Sequence, residues 1–138
     1  MNKNGKLIIA VTLFSCSSLS FAASCTNTIE NNTISDLSVP AGAHCTLNNS
    51  SIEGDVNIAK GGSLILNSSS IQGSIQAKQA KAIRLINSSV SGDIDIAQAA
   101  TTLSLDKSII SGNIHCSAST QLQAKLSQIE GQKIGKCG

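Results

Sequence analysis

The chain has no tryptophan, no tyrosine and only two phenylalanines in 138 residues. Both of these, Phe14 and Phe21, fall in an N-terminal stretch that reads as a removable leader, so the remainder has no aromatic ring. Stacking on bases, and on the faces of sugars, is therefore disfavoured. An excess of positive charge is also missing. Once Lys3 and Lys6 leave with the leader, eight Lys/Arg face eight Asp/Glu, and the +2 of the whole chain is gone. A neutral surface lacks the cationic face that a phosphate backbone requires, so no nucleic-acid partner is expected. The apolar run Leu7 to Phe14 falls far short of the ~20 residues that cross a bilayer, so no membrane span is expected after leader removal. No CxxC or CxxH spacing points to a metal, and no cofactor is expected.

The leader itself has three parts. Lys3 and Lys6 supply the positive start, LIIAVTLF the apolar centre, and Ser20-Phe21-Ala22 the small residues before a cut after Ala22. Residues 1–22 are thus expected to be a cleaved signal peptide and 23–138 one exported domain, in the periplasm or outside the cell. Cys16 and Cys25 each end a short stretch that resembles a lipidation box. Phe14 fits the first box badly, and the second would consume a cysteine needed below. A lipid anchor is the alternative location.

What the chain does have is a repeat. Gly54, Gly73, Gly92, Gly112 and Gly131 are spaced 19, 19, 20 and 19 residues apart. Two places before each stands Ile52, Ile71, Val90, Ile110 or Ile129, and two places after the first four stand Val56, Ile75, Ile94 and Ile114. In the last repeat Ile134 is displaced by one. Nine places before the glycines come Cys45, Leu64, Ile83, Leu103 and Leu122; seven before come Leu47, Leu66, Leu85, Leu105 and Ala124. Four places before each glycine is a serine: Ser50, Ser69, Ser88, Ser108 and Ser127. A partial coil containing Leu37, Val39 and Gly42 precedes them.

Within each repeat the apolar residues alternate, which is the period of a strand. Nineteen residues cannot bury an apolar side alone, but stacked copies can. The expected fold is all-β: a single-stranded parallel β-helix, or β-solenoid, of five to six coils of about 19 residues, right-handed. Three short strands and three corners fill each coil. The serine and glycine columns are expected to be the small inward residues at bends, with the serine hydroxyls laddered from coil to coil. The weakly helical stretch Gln76 to Arg84 falls where other repeats turn.

Four cysteines remain after leader removal: Cys25, Cys45, Cys116 and Cys137. An even count in an exported chain suggests two disulfides. Bridged Cα atoms must lie within ~7 Å, and only partners about one coil apart meet that limit in a stack. The expected pairs are Cys25–Cys45 and Cys116–Cys137, clamping the two ends.

Outward columns hold the chemistry that exists. One place after the glycines stand Asp55, Ser74, Asp93, Asn113 and Gln132; three places after stand Asn57, Gln76, Asp95 and His115. Asp93, Asp95 and His115 thus form a candidate surface cluster. It resembles the acidic cluster outside polysaccharide-cleaving β-helices, which are longer and cover the site with long loops. Short turns here leave little room for a cleft. A row of outward hydroxyls, Ser51, Ser70 and Ser89, begins like an ice-binding face but ends at Ile109 and Gln128.

The stretch VPAGAHCTL (Val39 to Leu47), the repeated Gly-x-(Ile/Val) units and the ending GQKIGKC (Gly131 to Cys137) resemble a group of small secreted bacterial β-solenoid proteins. Those share a VPAGAxCxL start, GxVxV coils and a GxKxGxC ending. The resemblance implies the fold and carries over no activity. The expected function is a non-enzymatic exported module presenting a rigid face to a protein or surface polymer, or associating with itself through its end coils. The alternatives are a small carbohydrate-active or hydrolytic enzyme using Asp93, Asp95 and His115, and an ice-binding protein.

Overall fold

The computed structural model describes residues 22–96, 101–117 and 119–137. The expected leader, but for Ala22, lies outside the described residues. Every described element is a strand. The first coil contains β1 (Ala23–Ser24), β2 (Thr28–Glu30) and β3 (Thr33–Ile34), and the second β4 (Leu37–Val39), β5 (His44–Asn48) and β6 (Ser51–Ile52). The third contains β7 (Val56–Ile58), β8 (Ser63–Asn67) and β9 (Ser70–Ile71), and the fourth β10 (Ile75–Gln76), β11 (Ala82–Ile86) and β12 (Ser89–Val90). The fifth contains β13 (Ile94–Asp95), β14 (Thr102–Asp106) and β15 (Ile109–Ile110). The last contains β16 (Ile114–Cys116), β17 (Gln121–Lys125) and β18 (Gln128–Ile129), followed by β19 (Lys133–Gly135).

These strands stack into three parallel sheets, a β-solenoid. Sheet A is β1-β4-β7-β10-β13-β16-β19, sheet B is β2-β5-β8-β11-β14-β17, and sheet C is β3-β6-β9-β12-β15-β18. Register follows the repeat: Leu64 pairs with Ile83, Ile71 with Val90, and Val56 with Ile75. The extra residue of the fifth repeat falls between β13 and β14. The stretch after Gln76 turns and then runs as strand β11, so its weak helical propensity loses to the coils on either side.

The interior is aliphatic, as the alternation requires. Leu37, Leu47, Ile52, Leu66, Ile75, Leu85, Ile94 and Leu103 are fully buried. Each would gain ~1.5–3 kcal/mol from leaving water.

Two corners explain the polar columns. Between sheets B and C the chain turns through a residue with positive φ: Asn31, Asn49, Ser68, Asn87, Lys107 and Leu126, all near +50°. The serine that follows each of the last five closes the corner. Its hydroxyl donates to the carbonyl two residues back, as from Ser88 to Ile86 at 2.7 Å. The same oxygen accepts the amide of the serine one coil earlier: Ser50 N to Ser69 Oγ at 3.1 Å, Ser69 N to Ser88 Oγ at 3.2 Å, and Ser108 N to Ser127 Oγ at 3.0 Å. The serine ladder expected from coil to coil thus runs from amide to hydroxyl.

The glycine column differs from its expectation. These glycines do not fill an inward bend. A Cβ on Gly73, Gly92, Gly112 or Gly131 would stand under 3.0 Å from the carbonyl of the glycine one coil earlier. Successive backbones approach too closely here for any side chain, so the missing atom points along the stack.

Both disulfides form as expected. Cys25–Cys45 and Cys116–Cys137 have Cα separations of 5.4 and 5.2 Å. The first coil lies one step ahead of the partial coil that the sequence marked at Leu37, Val39 and Gly42. It is shortened: Ala23 pairs with Leu37, a step of 14, while Thr28 and Thr33 pair 18 residues ahead. Most of the shortening lies between β1 and β2, beside the first disulfide, so the chain cuts that corner and tapers over the end. At the other end the backbone keeps register through β19. Lys133 takes the column of Ile114, and Ile134 faces outward at 41% exposure.

Removal of either bridge should lower the unfolding free energy by about 3 kcal/mol. Under reduction, amide exchange followed by mass spectrometry should accelerate first in residues 23–45 and 116–137, with the central coils unchanged. Ser88→Ala should cost about 1–3 kcal/mol, because it leaves the buried amide of Ser69 without its acceptor. Exposed Ser91→Ala should stay within about 0.5 kcal/mol, both measured by denaturant unfolding.

Candidate functional site

The outward column after the glycines is a second ladder. Asp36 Oδ1 accepts the amide of Asp55 at 2.9 Å, and Asp55 Oδ1 accepts that of Ser74 at 2.8 Å. Ser74 Oγ accepts from Asp93 N at 3.1 Å, Asp93 Oδ1 from Asn113 N at 2.7 Å, and Asn113 Oδ1 from Gln132 N at 2.8 Å. An oxygen acceptor on a short side chain is what this corner needs, which explains the run of Asp, Ser and Asn. Asp93 is therefore occupied by the backbone of the next coil. Its half-buried carboxylate thus has a structural role through Oδ1.

The rest of the cluster is present but loose. Asp95 and His115 pair in register on adjacent strands β13 and β16, as their spacing implied. Asp95 is exposed and His115 half-buried. No ion pair or hydrogen bond joins them among the described residues, and no group of three or more His, Cys, Asp or Glu there could hold a metal. Three surface hollows among the described residues lie elsewhere. One follows the corner between sheets B and C, along Asn31, Asn49 and Ser68; a second lies between Asn57, Lys60 and Gln79; a third lies between Arg84, Asp106 and Lys125.

The row Ser51, Ser70, Ser89 starts one coil earlier than its sequence spacing suggested, because Thr33 pairs with Ser51. Ser51 and Ser70 hydrogen-bond to one another at 3.3 Å, which turns part of the row inward upon itself. Beyond Ser89 the next partner is Ile109, 44% exposed, so the hydroxyl face stops.

The broadest regular surface is the outer wall of sheet B. From the second coil onward its strands have five residues against two or three in sheets A and C. One outward row reads Thr46, Ile65, Arg84, Ser104, Gln123, and the next reads Asn48, Asn67, Ile86, Asp106, Lys125. Asn67 Nδ2 donates to Asn48 Oδ1 at 2.9 Å, and Asn48 Nδ2 to Glu30 Oε1 at 3.2 Å, which fixes one edge of the wall. Asp106 lies just before Lys125 in this row and keeps Oδ1 buried without a hydrogen-bond partner. The wall escaped the sequence reading, which followed the columns around glycine. Asn48 and Asn67, 19 residues apart, are the signal that could have marked it.

Such a surface offers contact area and aligned polar groups. It offers no nucleophile held by a base and no pair of carboxylates facing across a cleft. No helix among the described residues is long and apolar enough to cross a membrane. Comparison with protein-family models, with curated proteins and with solved structures finds no match.

Unfolding measurements separate the two aspartates. Asp93→Ala should cost about 1–2 kcal/mol through the orphaned Asn113 amide, and Asp93→Asn should recover most of it. Asp95→Ala should fall within about 0.5 kcal/mol of the parent.

Proposed function

We propose that the protein is a non-enzymatic exported module that presents the rigid outer wall of sheet B to a protein or a surface polymer. The observation that carries this reading is the role of Asp93. Asp93 serves the backbone of the next coil through Oδ1, and the three hollows among the described residues lie away from Asp95 and His115. The outer wall, by contrast, is held by strands paired in register, and a surface ordered in advance loses little entropy when it binds. Export is supported by the two disulfides, which are rare in reducing compartments, and by the leader pattern of residues 1–22. The resemblance to small bacterial solenoid proteins fits the same setting.

The test is capture from the envelope fraction of the producing cell by the oxidised protein. Arg84→Glu and Ile65→Asp, both on the wall, should lower retention of the captured partner by about fivefold or more. Asp95→Ala and His115→Ala should leave it unchanged. Release of soluble saccharide that stops on Asp95→Ala would reverse the reading in favour of an enzyme.

A further inference from the structure

The wall of sheet B holds a hollow that the coil architecture does not account for. It has a volume of about 380 Å³ and is lined by Arg84, Ser104, Asp106, Gln123 and Lys125. Of the three hollows it alone carries charges of both signs. The one along the corner between sheets B and C is lined by Asn, Ser and Thr, and the one at Lys60 has Lys78 beside it and no acid. Asp36, Asp55 and Asp93 each accept a backbone amide of the next coil, but Asp106 does not. Its Oδ1 is buried without a hydrogen-bond partner, a costly state for a carboxylate oxygen. The residue is half-buried and lines the hollow. Arg84 and Lys125 are exposed, and among the described residues no ion pair or hydrogen bond ties either of them to Asp106. The three stand on β11, β14 and β17, so charge alternates plus, minus, plus over successive coils. Arg84 and Lys125 are two coil steps apart, about 10 Å along the stack.

We infer that this hollow is a subsite for an acidic saccharide, one that carries carboxylates on hydroxyl-bearing rings, as a uronate chain does. The inference rests on the reading of sheet B as a binding wall and names the ligand class that this part of it takes. Three features select the occupant. Two cations not tied to the neighbouring acid call for anionic groups, and the planar fork of Arg84 matches a carboxylate. Asp106 repels a ligand that offers negative charge alone, but its carboxylate, short of donors, accepts from a hydroxyl. A uronate chain brings both, carboxylates for the cations and hydroxyls for Asp106, with Ser104 and Gln123 placed to hydrogen-bond the rings. The side chains of an acidic peptide bring carboxylates and no hydroxyl. Finally, the chain beyond residue 21 has no aromatic ring on which a neutral sugar could stack, so a saccharide held here is held by charge and hydrogen bonds. The spacing agrees. A pyranose ring is close in length to one coil step, so a trisaccharide laid along the stack brings its outer rings to Arg84 and Lys125 and its middle ring to Asp106.

Titration of the oxidised protein, followed by the NMR shifts of its backbone amides, is the experiment. Trimannuronate is the probe, and mannotriose and triglutamate are the controls. Trimannuronate should shift amides of β11, β14 and β17, with an affinity that falls as salt rises. Mannotriose, which lacks the carboxylates, and triglutamate, which lacks the hydroxyls, should each bind about tenfold more weakly. Arg84→Gln and Lys125→Gln should each weaken trimannuronate binding by about fivefold. Asp106→Ala should narrow the preference over triglutamate by about threefold. The subsite is overturned by trimannuronate that shifts nothing, by shifts centred on other strands, or by either control binding as well as the probe. It is also overturned by an affinity unchanged in both cation variants, or by a preference that survives Asp106→Ala. Failure of the wall reading looks different. If trimannuronate does not bind while Ile65→Asp still lowers capture, the subsite alone is lost; if it binds as expected while capture ignores both wall substitutions, the wall reading is what falls.

Discussion

Parallel pairing between equivalent residues of successive coils is the interaction on which the molecule rests. No coil can satisfy its own backbone or cover its own apolar side, since both need a neighbour in register. A slip of one residue would turn every inward Leu, Ile and Val to solvent. That requirement explains why the period holds at 19 through the central coils, and why the single extra residue falls between two strands. It also explains the bridges. An end coil has one neighbour where the others have two, and a covalent link to the adjacent coil replaces part of what is missing.

Corners are where a strand ladder ordinarily fails, because the backbone bends away from its partners. Here two side-chain ladders take over. The serine hydroxyls serve one corner, and the Asp/Ser/Asn oxygens serve another. Glycine clears the space for the second by letting successive backbones come close. Side chains that look reactive in the sequence are thereby assigned to architecture, and this shapes the functional reading more than any pocket does. A wall whose polar groups are fixed by the coil beneath them is suited to recognition by shape.

Much of this was legible in advance. The glycine spacing carried the coil length, the alternation around it carried the buried columns, and the cysteine spacing in a stacked fold carried both bridges. Three things were hidden. The first coil lacks a glycine marker and takes a step of 14 in sheet A, so its strands blended into the leader's downstream flank. Alternation separates inside from outside but says nothing of the direction along the stack. Gly73 was therefore read as a filler of the interior and Asp93 as a surface acid, although both are defined by the coil adjoining them. Ile134 was read as a displaced core residue because apolar character was taken to outrank backbone register. At an end coil, with nothing stacked beyond it, register prevails.

The three corners do not share variation equally. The corner between sheets B and C keeps the same length in every coil, since its hydroxyl ladder admits no other. The corner between sheets C and A departs only once, by a single residue, at the start. Larger change falls at the corner between sheets A and B, which is four residues short at the first disulfide and one residue long before β14. That edge of the prism is where a longer loop can be grafted without disturbing either ladder, and it is the natural place for this scaffold to acquire an added recognition segment.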